Sequence, residues 1–128
     1  MSKRAAGPVV LLVDDSEADL ESFGRALSAH GYALETAANG LQGLRAALKL
    51  KPNVIVTDVE MPGMDGWTLL RMVRARKEIA RTPIVFLTRL SGDQERLRGY
   101  QLGVDDYIGK ESPPEEVLAR LKRLLRRA

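Results

Sequence analysis

Residues 9–16 read VVLLVDDS, and this short stretch decides the fold of the chain. Five apolar residues in a row are typical of a strand that is buried on both faces of a parallel sheet. Asp14 and Asp15 follow where such a strand leaves the core, and Ser16 is a residue type that begins helices. The stretch therefore predicts a buried strand that leads through an acidic loop into a helix.

The same alternation of strand and helix continues along the whole chain. We predict strands over 9–13, 33–37, 54–58, 84–88 and 106–109. We predict helices over 17–30, from the turn at Asn39-Gly40 to residue 50, from Asp65 and Gly66 to residue 79, and over 93–102 and 114–127. Strands and helices that alternate form a parallel sheet with right-handed crossovers and helices on both faces. We therefore predict an α/β fold, a flavodoxin-like (βα)5 three-layer sandwich with strand order 2-1-3-4-5.

Length and composition indicate a single domain. A chain of 128 residues with 45% hydrophobic residues can form one core but not two ordinary domains. The chain has no cysteine, which excludes a disulfide framework and a thiolate metal site. No apolar stretch has the length of a signal peptide or a membrane span. We expect a disordered N-terminal segment over residues 1–8, one domain over 9–127, and a cytoplasmic protein that binds no membrane.

The chain is basic, with a formal net charge of +3 and a pI of about 9.4. The basic residues concentrate in two stretches with helical patterns, RMVRARKEIAR over 71–81 and ARLKRLLRRA over 119–128. Charged residues on the outer face of a surface helix are the ordinary case. We therefore expect no direct binding of nucleic acid by this domain.

Polar side chains stand at the carboxyl ends of four of the predicted strands. These residues are Asp14 and Asp15 directly after the first strand, Asp58 at the end of the third, Thr88 at the end of the fourth and Lys110 directly after the fifth. The ends of parallel strands meet at one edge of the sheet, where α/β folds place their ligand sites. Carboxylate oxygens select Mg²⁺ or Mn²⁺, and a metal ion with a lysine can neutralise phosphoryl oxygens. The strand ends therefore predict a cleft for a divalent metal ion and a phosphoryl group, with Asp58 as a candidate nucleophile.

Each of these residues has a simpler interpretation when it is taken alone. A pair of aspartates equally indicates charges at a helix N-terminus. Threonine is common in strands, and a lysine after a short strand is usually solvated. The joint position of all five residues at strand ends favours the site.

Four ordered motifs resemble the receiver domain of bacterial two-component response regulators over essentially the whole chain. They are LLVDDS (11–16), VTDVEMPGMDGW (56–67), PIVFLT (83–88) and GVDDYIGK (103–110). The resemblance implies a phosphorylation switch, in which a histidine kinase, a phosphotransfer protein or a small phosphodonor transfers a phosphoryl group to Asp58. Such a protein is not an enzyme in the ordinary sense, because it catalyses only its own phosphorylation and dephosphorylation.

The resemblance also implies a set of metal ligands and a switch. The ligands would be Asp14 through a water molecule, Asp15, Asp58 and the backbone carbonyl of Glu60. Thr88 and Lys110 would contact the phosphoryl group. Thr88 would move towards that group and Tyr107 would enter the space it leaves, which reshapes the surface of the fourth helix, fifth strand and fifth helix. Composition alone favours instead a half-buried Tyr107 with its hydroxyl in water.

The last third of the chain resembles the dimerising face of receivers that are attached to winged-helix transcription factors. We expect a phosphorylation-promoted symmetric homodimer through this face. Its predicted residues are Arg96, Leu97, Tyr100, Asp106, Glu116, Leu118 and Arg120. Ion pairs between the subunits would join Arg96 to Glu116 and Asp106 to Arg120. The alternative is that these are exposed charges that contribute little.

The chain departs from the family pattern after Thr88 and after Lys110, where Ser112 also replaces a frequent aromatic residue and Pro113-Pro114 a single proline. Arg89 follows Thr88 where a small residue is usual, so its guanidinium could narrow access to Asp58 or bind phosphate. Glu111 stands where the family has a proline that follows a cis peptide. The Lys110–Glu111 bond is therefore either trans with a reshaped loop or strained. Glu111 could also compete for the ammonium of Lys110.

Two other functions stay open at this point. The first is a degenerate receiver that acts as a phosphorylation-independent protein-interaction module, which Arg89 and Glu111 favour and the acidic residues oppose. The second is a Mg²⁺-dependent hydrolase that uses Asp58 as its nucleophile. That function requires a cap or a general acid, and no insertion in the chain is long enough for a cap. The only histidine, His30, is predicted at the far end of the first helix.

Overall fold

The computed structural model describes residues 7–90 and 92–126 and places a five-stranded parallel sheet between two layers of helices. The strands are β1 (Val9–Val13), β2 (Ala33–Ala37), β3 (Val54–Thr57), β4 (Ile84–Thr88) and β5 (Asp106–Gly109). The helices are α1 (Glu17–Ala29), α2 (Gly40–Leu50), α3 (Gly66–Arg74), α4 (Asp93–Leu102) and α5 (Pro114–Arg126). The sheet order is β2-β1-β3-β4-β5 and every neighbouring pair is parallel. The predicted fold class and strand order are confirmed.

Alternate residues of β1 face two separate cores. Val10 and Leu12 face the core that β1 shares with α1 and α5, whereas Leu11 and Val13 face the core that it shares with α2 and α3. Successive side chains of a strand point to opposite faces of the sheet. None of the four residues is more than 2% exposed. An unbroken apolar run is therefore what a central strand between two helical layers requires.

The register of the central strands brings their ends to the same level. Val13 of β1 lies opposite Thr57 of β3, so the next residues, Asp14 and Asp58, leave the sheet side by side. The N–H of Asp58 donates to the carbonyl of Val13 at 2.9 Å, which extends the pairing of β1 and β3 to the acidic residues. Sheet geometry alone thus brings these two carboxylates together.

The third helix is shorter than predicted. We predict that it continues to residue 79, but α3 ends at Arg74 with Ala75 as its C-cap. The guanidinium of Arg74 donates to the carbonyls of Ala80 at 3.2 Å and Thr82 at 2.7 Å, which holds the following segment close to the end of the helix. Ile79 is still only 2% exposed. The apolar residue that suggested a longer helix is therefore a core residue of the loop.

The other described boundaries agree with the prediction to within one residue. The first helix ends at Ala29 and the third strand at Thr57. Residue 127, the predicted end of the last helix, and residues 1–6 of the predicted disordered segment lie outside the described residues. Pro8, also in that segment, accepts a hydrogen bond from the N–H of Ala33 at 2.9 Å. Within the described ranges, no helix combines the length and the apolar character that crossing a membrane requires.

Candidate functional site

Three aspartates form an acidic cluster at the carboxyl edge of β1 and β3. One carboxylate oxygen from each of Asp14, Asp15 and Asp58 lies within 4.8 Å of the other two. Asp14 is 3% exposed and Asp58 is 9% exposed, whereas Asp15 faces solvent. Oxygen donors at this spacing could hold a divalent metal ion, which would also relieve their mutual repulsion. The structure therefore brings together the three aspartates predicted as metal ligands.

Backbone hydrogen bonds hold the two buried carboxylates of the acidic cluster. The N–H of Ser16 donates to Oδ1 of Asp14 at 2.9 Å, and the N–H of Val59 donates to Oδ1 of Asp58 at 2.7 Å. Gly66, the first residue of α3, packs against the same loop, and a Cβ there would stand 2.8 Å from Cα of Val59. Because only glycine lacks that atom, Gly66 allows α3 to begin directly against the backbone of Asp58.

Lys110 connects the acidic cluster to β5. Its Nζ contacts three carboxylates, at 2.7 Å from Oδ2 of Asp14, 2.7 Å from Oδ2 of Asp19 and 3.0 Å from Oδ2 of Asp58. Burial disfavours the charged ammonium, but the hydrogen bonds to these carboxylates outweigh burial and raise the pKa of Lys110 above its ordinary value. Burial also raises the pKa of Asp14, against the opposing effects of Lys110 and the N–H of Ser16. The structure therefore places Lys110, the residue predicted to contact the phosphoryl group, against two aspartates of the acidic cluster.

Asp19 is a site residue that the sequence alone does not indicate. It lies in the first turn of α1, where an acidic residue ordinarily reflects the helix N-terminus. Its Oδ2 contacts both Nζ of Lys110 at 2.7 Å and Nη1 of Arg89 at 3.0 Å. The hydrogen bond from Arg89, together with the contact to Lys110, lowers the pKa of Asp19 to about 2 in spite of burial. Its only signal in the sequence is its position four residues after Asp15.

Thr88 and Tyr107, the predicted switch residues, both contact Leu90. The N–H of Leu90 donates to Oγ1 of Thr88 at 3.1 Å, and the hydroxyl of Tyr107 donates to the carbonyl of Leu90. Tyr107 is fully buried, so the half-buried position that composition favours is wrong. Burial raises the pKa of its hydroxyl to about 12. The two residues are therefore connected through one residue of the loop between β4 and α4.

A family model of the response regulator receiver domain matches residues 10–122. The chain belongs to this family. It is 38% identical over 124 residues to the transcriptional regulatory protein GltR of Pseudomonas aeruginosa, which covers 97% of this chain and 51% of that protein. It is 40% identical over 118 residues to the response regulator MprA of Mycobacterium leprae, which covers 92% of this chain and 51% of that protein. The receiver thus spans about half the length of these relatives.

Solved structures of other receivers share the fold. The chemotaxis protein CheY4 of Vibrio cholerae superposes with a TM-score of 0.87 at 34% identity, over 93% of this chain and 99% of that one. The receiver domain of the Francisella response regulator 1452 superposes with a TM-score of 0.88 at 29% identity, over 94% of this chain and 98% of that one. This receiver therefore belongs to the signalling proteins of two-component systems.

Within one copy of the receiver, several charges of the predicted dimer face pair with each other. Nη1 of Arg120 lies 3.0 Å from Oδ1 of Asp106, and Nη2 lies 2.9 Å from Oε2 of Glu116. The hydroxyl of Tyr100 donates to the same oxygen of Asp106 at 3.0 Å. Leu97 is 59% exposed. The face therefore presents an apolar side chain next to charges that already have partners in the same chain.

The two other residues of the predicted dimer face are more closely tied to the core. Leu118 is buried among the apolar residues of the α1 and α5 side. The guanidinium of Arg96 lies 5.5 Å from the centre of the Tyr107 ring and donates to the Tyr107 carbonyl at 2.8 Å. Arg96 thus joins α4 to Tyr107, the predicted switch residue. Association of two copies through this face stays a prediction.

The residues that depart from the family pattern take definite positions in this receiver. The described residues contain no cis peptide bond, so the Lys110–Glu111 bond is trans. The carboxylate of Glu111 lies over Gly109, while three aspartates surround the ammonium of Lys110. Glu60, whose carbonyl is the fourth predicted metal ligand, lies in the exposed part of the loop after β3.

Proposed function

We infer that the receiver accepts a phosphoryl group on Asp58 and that this step is its signalling event. The observation that best supports the proposal is the contact of Asp58 with buried Lys110, at 3.0 Å, beside two further aspartates. Oδ1 of Asp58 accepts the N–H of Val59 while Oδ2 contacts Lys110, so both oxygens are held in place. The side chain keeps 11% exposure, which leaves it within reach of a donor at the surface.

The acidic cluster fits Mg²⁺ or Mn²⁺. Its donors are carboxylate oxygens, which both ions prefer, and exposed Asp15 leaves the cluster open to solvent. Asp15 and Asp58 would bind the ion directly, Asp14 through a water molecule, and Glu60 through its backbone carbonyl. A bound ion supplies positive charge at the phosphoryl oxygens.

Asp58 would act as the nucleophile. One of its oxygens forms a bond to phosphorus while the donor's bond to phosphorus breaks, a P–N bond in phosphohistidine or a P–O bond in acetyl phosphate. The leaving group keeps the bonding electrons, and Asp58 reacts as a carboxylate without loss of a proton. Lys110 and the hydroxyl of Thr88 would then donate to the phosphoryl oxygens. The receiver would catalyse only this step and the later hydrolysis of its own acyl phosphate.

The signal would leave the site through Leu90. Oγ1 of Thr88 accepts the N–H of Leu90, so a movement of Thr88 towards a phosphoryl group would break this bond and change the loop that also holds Tyr107. Phosphorylation would shift an existing equilibrium between two arrangements of α4, β5 and α5. Exposed Leu97 and Tyr100 support the proposal that two phosphorylated copies associate through this surface. Upstream, the partner would be a histidine kinase or a phosphotransfer protein, and a cytoplasmic location stays a prediction.

A phosphorylation-independent interaction module is the second candidate function. The observation that favours it is that Asp19 already engages both Lys110 and Arg89, so neither cation stands free for a phosphoryl group. In that case neither cation would neutralise an incoming phosphoryl group, and Asp58 would stay unphosphorylated.

Transfer from acetyl phosphate separates these functions. Wild type and Asp58→Asn are incubated with acetyl phosphate and Mg²⁺, and intact-protein mass and free phosphate are followed. We expect one phosphoryl group on wild type, stable in acid and lost in base, and none on Asp58→Asn. Asp93→Asn, which changes an exposed carboxylate of α4, serves as the control and should behave as wild type.

Two other outcomes would contradict the proposal. The absence of an adduct on wild type with every donor would favour the interaction module. Rapid and repeated release of phosphate would favour a Mg²⁺-dependent hydrolase that uses Asp58.

A further inference from the structure

An ion pair between Asp19 and Arg89 lies beside the acidic cluster. Nη1 of Arg89 is 3.0 Å from Oδ2 of Asp19, and Nη2 is 3.5 Å from Oδ1. The planar guanidinium therefore faces both oxygens of the carboxylate. The side chain of Asp19 is 13% exposed, whereas that of Arg89 is 71% exposed. The pair thus joins a largely buried carboxylate to a cation on the solvent side.

Two local hydrogen bonds fix Asp19 relative to the acidic cluster. The N–H of Ser16 donates to Oδ1 of Asp14 at 2.9 Å, and the N–H of Asp19 donates to Oγ of Ser16 at 3.2 Å. Asp14, Ser16 and Asp19 therefore belong to one hydrogen-bonded turn. Because Ser16 is the N-cap of α1, the backbone of Asp19 cannot leave this position without uncapping the helix.

Arg89 reaches Asp19 across the end of β3. Arg89 follows Thr88, the last residue of β4, whereas Asp19 lies in the helix that follows β1. The sheet places β3 between β1 and β4, and Asp58 follows β3 directly. Nζ of Lys110 lies 2.7 Å from Oδ2 of Asp19 and 3.0 Å from Oδ2 of Asp58, so the carboxylate that pairs with Arg89 lies close to Asp58. The guanidinium stands on the solvent side of this ion pair, where a phosphodonor would approach.

The charges of the site give Arg89 an alternative partner. The groups concerned are the carboxylates of Asp14, Asp15, Asp19 and Asp58 and the cations of Lys110 and Arg89. They leave two negative charges, which one divalent ion would neutralise. An incoming phosphoryl group would then bring further negative charge. Lys110 is buried and would have to give up contacts with three carboxylates to bind the donor. Exposed Arg89 would give up only its contact with Asp19, so its reorientation costs less free energy.

This inference rests on the proposed function and deepens it. We propose that Arg89 is a phosphodonor-binding residue that exchanges the carboxylate of Asp19 for the negatively charged oxygens of a small phosphodonor such as acetyl phosphate. Before the donor binds, Asp19 is the partner of Arg89, and it competes with the donor for the guanidinium. A guanidinium binds carboxylate and phosphate with the same two-point geometry. The hydrogen bonds that Arg89 loses to Asp19 are therefore replaced by similar hydrogen bonds to the oxygens of the donor. The residue at position 89 then determines the affinity of the receiver for small anionic donors.

The dependence of autophosphorylation on acetyl phosphate concentration tests the proposal. At saturating Mg²⁺, the half-saturating concentration reports donor binding and the maximal rate reports transfer. Arg89→Gln should raise the half-saturating concentration about three- to tenfold and change the maximal rate little. Arg89→Lys keeps the charge and should restore part of the loss. Arg45→Gln, an exposed arginine of α2, is the matched control and should leave the curve unchanged.

Asp19→Asn should act in the opposite direction, because it releases Arg89. The half-saturating concentration should fall below that of wild type. Asp19 also contacts Lys110, so the double variant Asp19→Asn/Arg89→Gln is needed to assign the effect. If Asp19 acts through Arg89, the gain disappears in the double variant. Thermal unfolding of every variant shows whether it is folded.

Each contrary result has a distinct meaning. An unchanged half-saturating concentration for Arg89→Gln, with a normal adduct on wild type, would overturn this inference and leave the proposed function standing. A gain that persists in the double variant would assign the effect of Asp19 to Lys110 and would also overturn it. No adduct on wild type would remove the proposed function and this inference together.

Discussion

Gly99 of α4 lies directly against the ring of Tyr107. A Cβ atom at residue 99 would stand 3.0 Å from Cδ2 of Tyr107 and 3.0 Å from Cγ1 of Val104. Gly99 is also the one buried residue of α4 among the described residues. The absence of a side chain at this position therefore allows α4 to pack on Tyr107 while the ring stays in the core.

Gly99→Ala should destabilise the receiver through this contact. Replacing glycine by alanine inside a helix ordinarily stabilises by about 0.5–1 kcal/mol. Here the added methyl would press on Tyr107 and Val104, so we expect a net fall in the free energy of unfolding of about 1–2 kcal/mol. Urea unfolding followed by circular dichroism measures it. In a Tyr107→Ala background the part of the loss that the Tyr107 ring causes should disappear, and an equal loss in both backgrounds would contradict the interpretation.

Mg²⁺ should stabilise the folded receiver through Asp15. An ion that binds only the folded state raises the free energy of unfolding, by about 2.7 kcal/mol at a concentration one hundred times its Kd. Asp15→Asn removes the exposed carboxylate of the acidic cluster, so it should lose most of the increase in melting temperature. Glu17→Gln, which changes a nearby exposed carboxylate, should keep the increase. Equal increases for wild type and Asp15→Asn would show that the ion binds elsewhere.

Lys110→Met should destabilise the receiver, because the ammonium of Lys110 offsets the repulsion between the carboxylates around it. Without it, Asp14, Asp19 and Asp58 lose their shared buried cation. We expect the free energy of unfolding in metal-free buffer to fall by about 3–5 kcal/mol. A divalent ion would replace part of the lost charge, so Mg²⁺ should raise the melting temperature of this variant more than that of wild type. Lys77→Met, an exposed lysine, is the control, and a similar loss there would refute the assignment.

The Asp19–Arg89 pair should make stability depend on acid pH. The hydrogen bond from Arg89 chiefly lowers the pKa of Asp19 from 3.8 to about 2. Because the folded-state pKa is the lower one, the stabilisation is fully present above pH 3.8 and is lost as the pH falls towards 2. Asp19→Asn lacks the carboxylate, so its difference from wild type in free energy of unfolding should shrink across this window. Urea titrations at several pH values measure the difference, and a constant value would count against the ion pair.

Apolar runs and the residues that follow them were sufficient to predict the sheet and the acidic cluster. Val9–Val13 is apolar throughout because β1 is covered on both faces. Asp14 and Asp58 could be placed together without side-chain detail, since parallel strands that pair in register end at the same edge. These properties depend on short stretches of sequence and on the regular geometry of a parallel sheet.

The third helix shows where local patterns were insufficient. Ile79 continues the apolar pattern of that helix, yet it reaches the core from a loop. The helix ends at Arg74, whose guanidinium donates to the carbonyls of Ala80 and Thr82. A side chain that binds backbone carbonyls several residues away leaves no periodic signal.

The sequence by itself determined the fold, the strand order and the acidic cluster, whereas the tertiary structure alone decided the partners of Asp19. Arg89 and Lys110 lie 70 and 91 residues away from it along the chain. An ion pair between such distant groups exists only after packing has placed both backbones. The inward position of Tyr107 has the same origin, because it requires the bare backbone of Gly99 on another element. Burial patterns and strand ends can be predicted from residues that are neighbours in the sequence. The contacts of Asp19 and Tyr107 join residues from different elements, so they depend on how those elements pack.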